Sequence, residues 1–180
     1  MIVVTSICAN YLPKAKTLAM SVKNCLPETR FVVCLVEQEI HTYALDVPQF
    51  DGIILARDIG FVDFQKFIFR HSIVEASTAV KAQLFRYLLE KYPEEDNFVY
   101  LDPDIFVYSN FDELQEELIL HPIILCPHVL EPGNIKMELS SLQHGTFNLG
   151  FLAIRRSEEA NKFLDWWAER LYWYCYDDIP

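Results

Sequence analysis

Two aspartates separated by one proline are the residues of this sequence best placed to do chemistry. Asp102 and Asp104 follow an apolar run, Phe98 to Leu101, whose aromatic and branched residues predict a buried strand. Pro103 has no backbone N–H and biases Asp102 towards extended geometry, so the strand is expected to end there. Carboxylates two positions apart in extended chain lie on the same side, about 7 Å apart. A small turn then brings their oxygens onto one hard divalent cation. We therefore expect a metal site at the carboxyl end of a strand, where ligands bind in open α/β sheets.

An ordinary acidic turn between two strands is the alternative interpretation, because Asp-Pro-Asp occurs in many turns. Two features of the surrounding sequence favour the metal site. A second apolar run, Ile105 to Tyr108, follows the acids directly, and a basic helix is predicted just before them. An acidic turn requires neither feature.

The formal net charge of −11 limits the classes of ligand. Such a field repels nucleic acid and anionic lipid headgroups, so neither is expected as a partner. A phosphorylated small molecule is also repelled overall. If one binds, a metal ion and a few placed cations must reverse the field locally.

Size and composition predict one domain, spanning residues 1–180, with a substantial core. No apolar run approaches the eighteen or so residues of a membrane span. The N-terminus enters an apolar strand directly, which argues against a signal peptide. The five cysteines are scattered without a C-x-x-C pair, so a reducing cytoplasm is the simplest setting.

The elements that must position the acids alternate between strands and helices. A strand, a helix and a strand within about thirty-five residues form a βαβ unit, and continuous apolar strands indicate a parallel sheet covered on both faces. The fold class is therefore α/β. The predicted strands are Ile2 to Ser6, Phe31 to Val36, Ile53 to Ala56, Phe98 to Leu101, Ile123 to Cys126 and Phe147 to Ile154.

Helices are predicted from Pro13 to about Leu26, from Val62 to His71, from either Ser72 or Ser77 to about Lys91, and from Ser157 to about Tyr174. Asn110 is expected to cap a further short helix with Glu113 at its third position. Residues 127–145 are interpreted as one long loop, of the kind that often forms a binding lid.

Four motifs occur in an order that resembles a known family. They are T-S-I-C-A-N-Y near the N-terminus, K-A-Q-L-F-R-Y-L-L, Y-L-D-P-D-I-F-V and G-T-F-N-L-G-F-L-A-I-R-R-S. Together they are similar to nucleotide-sugar glycosyltransferases of GT-A fold, above all the retaining galactosyltransferase and glycogenin type and their bacterial relatives. The resemblance covers nearly the whole chain, and it implies a mostly parallel, Rossmann-like sheet flanked by helices.

The resemblance also implies roles for particular residues. Asp102 and Asp104 match the D-x-D motif that holds Mn²⁺ or Mg²⁺ on the diphosphate. Thr5, Asn10 and Tyr11 match the loop that binds the nucleoside. Lys81 and Arg86 match basic positions near the phosphate or donor sugar. Asn148 and Gly150 match the strand that lines the sugar pocket, and they are the implied catalytic residues.

Each of these assignments has a structural alternative. Tyr11 can serve as a hydrophobic staple for the next helix instead of stacking on a base. Lys81 and Arg86 are five positions apart and do not share one helix face closely, so only one is expected in the site. Asn148 and Gly150 face one way on a strand, where the glycine either admits a ligand or marks a bulge.

The implied function is metal-dependent transfer of a sugar from a nucleotide diphosphate sugar, with UDP-sugar as the expected donor, to a sugar, lipid-linked or protein acceptor hydroxyl. The chain stops at Pro180, before the acidic residue, glutamine and later histidine that such families carry in their active site. A catalytically inactive nucleotide-sugar-binding or protein-interaction module is therefore the alternative. The aromatic residues between Trp166 and Tyr176 are expected either to form a homodimer interface, to contact a missing segment, or to pack on their own sheet.

Overall fold

A six-stranded sheet with helices on both faces forms the centre of the protein, which we describe from a computed structural model covering residues 1–176. The strand order is β3-β2-β1-β4-β6-β5. The strands are β1 (Ile2–Ile7), β2 (Arg30–Leu35), β3 (Gly52–Leu55), β4 (Asn97–Leu101), β5 (Ile123–Pro127) and β6 (Phe147–Arg155). The predicted class, a mostly parallel α/β sheet flanked by helices, is confirmed.

The helices connect these strands and cover the sheet. They are α1 (Leu12–Cys25), α2 (Thr42–Leu45), α3 (Phe64–Ile68), α4 (Ile73–Ala79), α5 (Lys81–Lys91), α6 (Asp112–Leu120), α7 (Ile135–His144) and α8 (Glu158–Tyr174). Short 3₁₀ turns occupy Ala9–Tyr11 and Ala56–Asp58. Within residues 1–176 no helix is both long and apolar enough to cross a membrane.

The direction of β6 brings two distant parts of the chain together. Strands β1 to β4 pair in parallel, whereas β6 runs antiparallel to both of its neighbours, β4 and β5. The first residues of β6 therefore lie beside the carboxyl end of β4. Leu101 is paired with Phe151, and the N–H of Asp102 donates to the carbonyl of Gly150 at 2.8 Å.

Alternation along the strands sorts the core into two layers. One layer contains Ile2 and Val4 of β1 and Phe98 and Tyr100 of β4, packed with α4, α5 and α8. The opposite layer contains Val3 and its odd-numbered neighbours, packed with α1 and α6. Asp102, with the same parity as Tyr100, is therefore directed to the α4–α5 side.

The helices before β4 differ from those predicted. Only Phe64–Ile68 is helical in the segment expected to run from Val62 to His71, because the Asp63 side chain accepts from the N–H of Lys66 and starts the helix there. The next helix, α4, begins at Ile73 after its N-cap Ser72, whose side chain forms a capping box with Glu75, and it ends before Val80. Lys81 thus lies in the first turn of a separate helix, α5.

Two predictions after β4 are wrong, the cap of α6 and the long loop. The apolar run from Ile105 to Tyr108 forms no strand, because the chain turns out of the sheet at Asp102, where the N–H of Ile105 donates to the Asp102 carbonyl. Asn110 does not cap α6; its amide instead donates to the Asp112 carboxylate. The expected long loop contains α7, capped by Asn134 and ended by Gly145 at a φ of 111°.

The aromatic helix α8 packs on its own core with one side. Leu164, Trp167 and Leu171 are buried. Trp166 and Trp173, by contrast, are each 54% exposed. The inner face of α8 therefore packs on the protein's own core, as one of the three alternatives expected. Its outer face is exposed to solvent.

Candidate functional site

A cavity of about 170 Å³ lies where the carboxyl ends of β1 and β4 meet helix α4. Tyr11, Lys81, Asp102 and Asp104 all line it. Both acids therefore line the same cleft and are not covered by core atoms. The volume is below the several hundred Å³ of most ligand pockets, so it accommodates only part of a large ligand and the remainder must extend through its open side.

The Asp102 carboxylate is held through one of its oxygens. Its Oδ1 accepts from the Tyr100 hydroxyl at 2.8 Å and from the Lys81 ammonium at 3.2 Å. Its Oδ2 accepts no hydrogen bond from the part of the chain that the structure describes. One oxygen is therefore used for positioning, while the other keeps its lone pairs for a ligand.

Lys81 is a nearly buried cation, with 6% of its side chain exposed. Besides Asp102, its ammonium donates to the Leu149 carbonyl at 2.9 Å and lies 4.2 Å from the centre of the Tyr100 ring. Burial lowers the pKa of Lys81, and the neighbouring Asp102 carboxylate partly offsets that effect. The same burial raises the pKa of Tyr100 well above its ordinary value, so its hydroxyl retains the hydrogen that it donates.

Gly150 provides the space that the Asp102 carboxylate occupies. A Cβ placed on Gly150 would lie 3.1 Å from Asp102 Oδ2 and 2.9 Å from Asn148 Oδ1. The Asn148 side chain is exposed and accepts from the N–H of Gly150 at 2.8 Å. The glycine therefore admits a carboxylate of the protein itself, in addition to any ligand that approaches the backbone.

The donor set fits a hard divalent cation. Carboxylate oxygens are the ligands that Mg²⁺ and Mn²⁺ prefer, and both Asp102 and Asp104 present them to one cavity. Among residues 1–176 no group of three or more His, Cys, Asp or Glu side chains gathers to hold a metal.

The first loop contributes one of its three expected residues to the cavity. Tyr11 lines it, is 36% exposed, and carries the Lys14 ammonium 4.6 Å from its ring centre. Asn10 is exposed and does not line this cavity. Thr5 is fully buried in the layer opposite Tyr100, where its hydroxyl has no hydrogen-bond partner among the described residues.

Arg86 lies away from the cavity. Its guanidinium pairs with Asp165 of α8 at 3.0 Å and donates to Gln83 at 3.0 Å. It lines a different groove, between α5 and α8. Lys81 is thus the one of the two cations that the fold brings to the acids.

Sequence reasoning missed several lining residues, among them Ser6, Ser77 and Tyr100. Strand parity was the available signal for two of them. Tyr100 shares a face with Asp102, and Ser6 shares a face with Ile2 and Val4, whereas Thr5 does not. Ile73 and Val74 of α4, 61% and 75% exposed, form an apolar edge of the cavity that no local pattern indicated.

Comparison with known proteins adds a family match. Residues 2–162 match the protein family described as Glycosyl transferase family 8. No curated protein matches the chain.

Several solved structures share the fold at low sequence identity. The galactosyltransferase LgtC, in complex with donor and acceptor sugar analogs, aligns with a TM-score of 0.60 and 20% identity over 95% of this chain and 65% of its own. The glycosyltransferase GlyE of Streptococcus pneumoniae TIGR4 has a TM-score of 0.55 and 17% identity, over 99% of this chain and 40% of its own. Mouse xyloside xylosyltransferase 1 aligns with a TM-score of 0.51 and 13% identity, over 94% of this chain and 71% of its own. The chain therefore spans about two thirds of LgtC and less than half of GlyE.

Proposed function

The chain belongs to glycosyl transferase family 8, and on that premise we propose that it transfers a sugar from a nucleotide diphosphate sugar to an acceptor hydroxyl. The observation that carries this proposal is the convergence of Asp102, Asp104, Lys81 and Tyr11 on one cavity at the carboxyl end of β4. The GT-A resemblance of the motifs and the shared fold with LgtC support it. The expected donor is a UDP-sugar, and the acceptor is a sugar, a lipid-linked group or a protein.

Asp102 and Asp104 are the proposed ligands of a Mn²⁺ or Mg²⁺ ion. When bound, such an ion neutralises diphosphate oxygens and stabilises the charge on the departing nucleoside diphosphate. In a chain of net charge −11, this is the local reversal of sign that a diphosphate requires.

The other residues bind and orient the donor. Tyr11 offers an aromatic face for the base, and binding there supplies energy that can be used for orientation at the reacting carbon. Asn148 and Gly150 border Asp102 from β6, where we place the donor sugar. Asn10 is exposed beside Tyr11 and is retained as a contact to the base edge, whereas Thr5 and Arg86 have no direct contact with the cavity in this proposal.

Calorimetry of UDP binding with and without Mn²⁺ tests this function. We expect wild-type protein to bind UDP in a metal-dependent manner and Asp104→Ala to bind at least tenfold more weakly. Glu113→Ala, on the surface of α6 away from the cavity, is the control for loss of an acidic side chain. Binding that is independent of metal and of Asp104 would contradict the proposal.

A nucleotide-sugar-binding module without catalytic activity is the second candidate. The observation that favours it is that only two acids, and no third ligand side chain, gather at the cavity within residues 1–176. Metal-dependent UDP binding without hydrolysis or transfer of any UDP-sugar would establish this alternative.

Broader proposals concern the domain organisation, the location and the assembly of the protein. Residues 1–180 are proposed to form a single domain located in the cytoplasm, with no nucleic-acid partner. Homodimerisation through the exposed outer face of α8, at Trp166 and Trp173, is a further prediction that light scattering can test.

A further inference from the structure

We propose that Tyr100 and Ser6 form a buried hydroxyl pair that positions the Asp102 carboxylate and ties it to helix α4. Tyr100 and Ser6 act through Asp102 and are positioning residues, not ligands. The inference rests on the proposed function, because it assigns to these hydroxyls the task of presenting Asp102 Oδ2 to a cation.

The contacts form a continuous chain across the sheet. The Ser6 hydroxyl lies 2.6 Å from the Ser77 carbonyl and 3.1 Å from the Tyr100 hydroxyl, which in turn lies 2.8 Å from Asp102 Oδ1. Tyr100 is 1% exposed and Ser6 is 2% exposed. Water therefore has little access to these groups, and they depend on one another for hydrogen bonds.

Counting hydrogens shows how the chain is oriented. Three close oxygen–oxygen contacts share only two hydroxyl hydrogens, since an ionised carboxylate and a peptide carbonyl donate none. The Ser6 hydrogen points either to Ser77 or to Tyr100. When Ser6 donates to Ser77, the Tyr100 hydrogen has two acceptors within reach, Ser6 and Asp102. The shorter contact, 2.8 Å against 3.1 Å, and the charge of the ionised carboxylate direct it to Asp102 Oδ1.

The far end of the chain lies on the helix that borders the cavity. Ser77 is in the last turn of α4, where helix carbonyls lack partners within the helix, and Ser6 supplies one. The same helix carries Ile73 and Val74 at the edge of the cavity. The hydroxyl pair therefore couples the position of this apolar edge to the orientation of Asp102.

Removing the phenolic hydroxyl isolates this role. Tyr100→Phe keeps the buried ring in the core and leaves Asp102 Oδ1 with the longer Lys81 contact alone. Hydrogen bonds to charged groups are among the stronger ones, so we expect the Kd for Mn²⁺ in the presence of saturating UDP to rise about tenfold. Ser6→Ala, which acts one step further away, is expected to raise the same Kd about threefold.

The measurement is a titration of Mn²⁺ into the UDP-saturated chain, with free Mn²⁺ quantified by electron paramagnetic resonance. Tyr87→Phe is the matched control, because its hydroxyl accepts a hydrogen bond from Lys91 of α5 and does not line the cavity, so its Kd should equal that of wild type. In the Tyr100→Phe background, Ser6→Ala should cause no further loss, since its effect passes through the phenol. A purely structural role would instead give additive losses that follow the melting temperature.

The outcomes separate this inference from the function on which it rests. Wild-type protein that shows no Mn²⁺-dependent UDP binding overturns both. Metal-dependent binding in the wild type, combined with a Kd for Mn²⁺ in Tyr100→Phe within twofold of wild type, overturns the hydroxyl pair alone. If Tyr100→Phe does not fold, Ser6→Ala decides, and a wild-type Kd in that variant refutes the proposal.

Discussion

Replacement of Gly150 by alanine tests whether the site depends on the close contact between β6 and the Asp102 carboxylate. The backbone tolerates the change, because Gly150 is not among the glycines with positive φ. The added Cβ would approach Asn148 Oδ1 to 2.9 Å and Asp102 Oδ2 to 3.1 Å. The exposed Asn148 amide can rotate away. Asp102 has less freedom, because Lys81 and Tyr100 hold its other oxygen.

The expected effect on ligand binding follows from this constraint. Relief of the contact requires the carboxylate to move by a few tenths of an ångström. Since a misplacement of 1 Å can cost about a hundredfold in rate, a shift of this size should weaken Mn²⁺-dependent UDP binding about three- to tenfold. Stability should change little, because the gain of about 0.4–1 kcal/mol from replacing a flexible glycine offsets the local strain.

Calorimetry and thermal unfolding of the same samples give the comparison. Gly52→Ala is the matched control, because it also replaces a strand glycine but brings the new Cβ only to an ordinary 3.4 Å contact with Val32. It should bind UDP and Mn²⁺ like the wild type. If Gly150→Ala binds both as tightly as wild type at unchanged melting temperature, the proposed packing of Asp102 against β6 is refuted.

The remaining predictions concern the buried cation Lys81, the partly buried ring of His71 and the packing of α8. Lys81→Met should lower the free energy of unfolding by about 1–2 kcal/mol, because it leaves the partly exposed Asp102 with one fewer partner. Chemical denaturation measures this difference, and equal stability would show that the ammonium does not stabilise the Asp102 carboxylate. Burial lowers the pKa of His71 below its ordinary value of 6.5, so folding favours the neutral ring, and the free energy of unfolding should decrease as the pH falls below about 6.5. His71→Phe should reduce this loss of stability at low pH, which denaturation curves at pH 8 and pH 5 measure. An equal difference between the two pH values in variant and wild type would contradict the assignment of the effect to His71. Leu164→Ala should cost about 2–5 kcal/mol because Leu164 is fully buried in the core that α8 closes, whereas a loss below 1 kcal/mol would mean that α8 is dispensable for the core.

Local patterns in the sequence were sufficient for the class of fold and for the place of the acids. Continuous apolar runs identified the strands, and Pro103 marked the end of β4 directly before Asp102. The residue types explain this success, because a strand that is buried on both faces of its sheet requires apolar residues along its whole length. An apolar run is not sufficient by itself, because Ile105 to Tyr108 resembles a strand in its apolar character although the chain has already left the sheet there.

Which of the expected site residues come together depended on contacts between distant segments. The interruption at Val80 starts α5 at Lys81, so that Lys81 reaches Asp102 while Arg86 pairs with Asp165 of α8 instead. Neither outcome is encoded in the spacing of the two cations alone. The position at which α5 begins and the packing of α8 against it decide which of the two cations reaches Asp102.

Local sequence patterns were enough to predict two carboxylates directly after a buried strand of an α/β protein. How one of them is held depends on contacts that form only in the folded chain. The antiparallel direction of β6 places Gly150 beside Asp102, and the alternation of β1 and β4 places Ser6 and Tyr100, but not Thr5, on the side of α4. The physical reason is that a carboxylate's orientation is set by its hydrogen-bond donors and steric neighbours. These come from strands and helices that are far apart in the chain and meet only when the sheet is assembled.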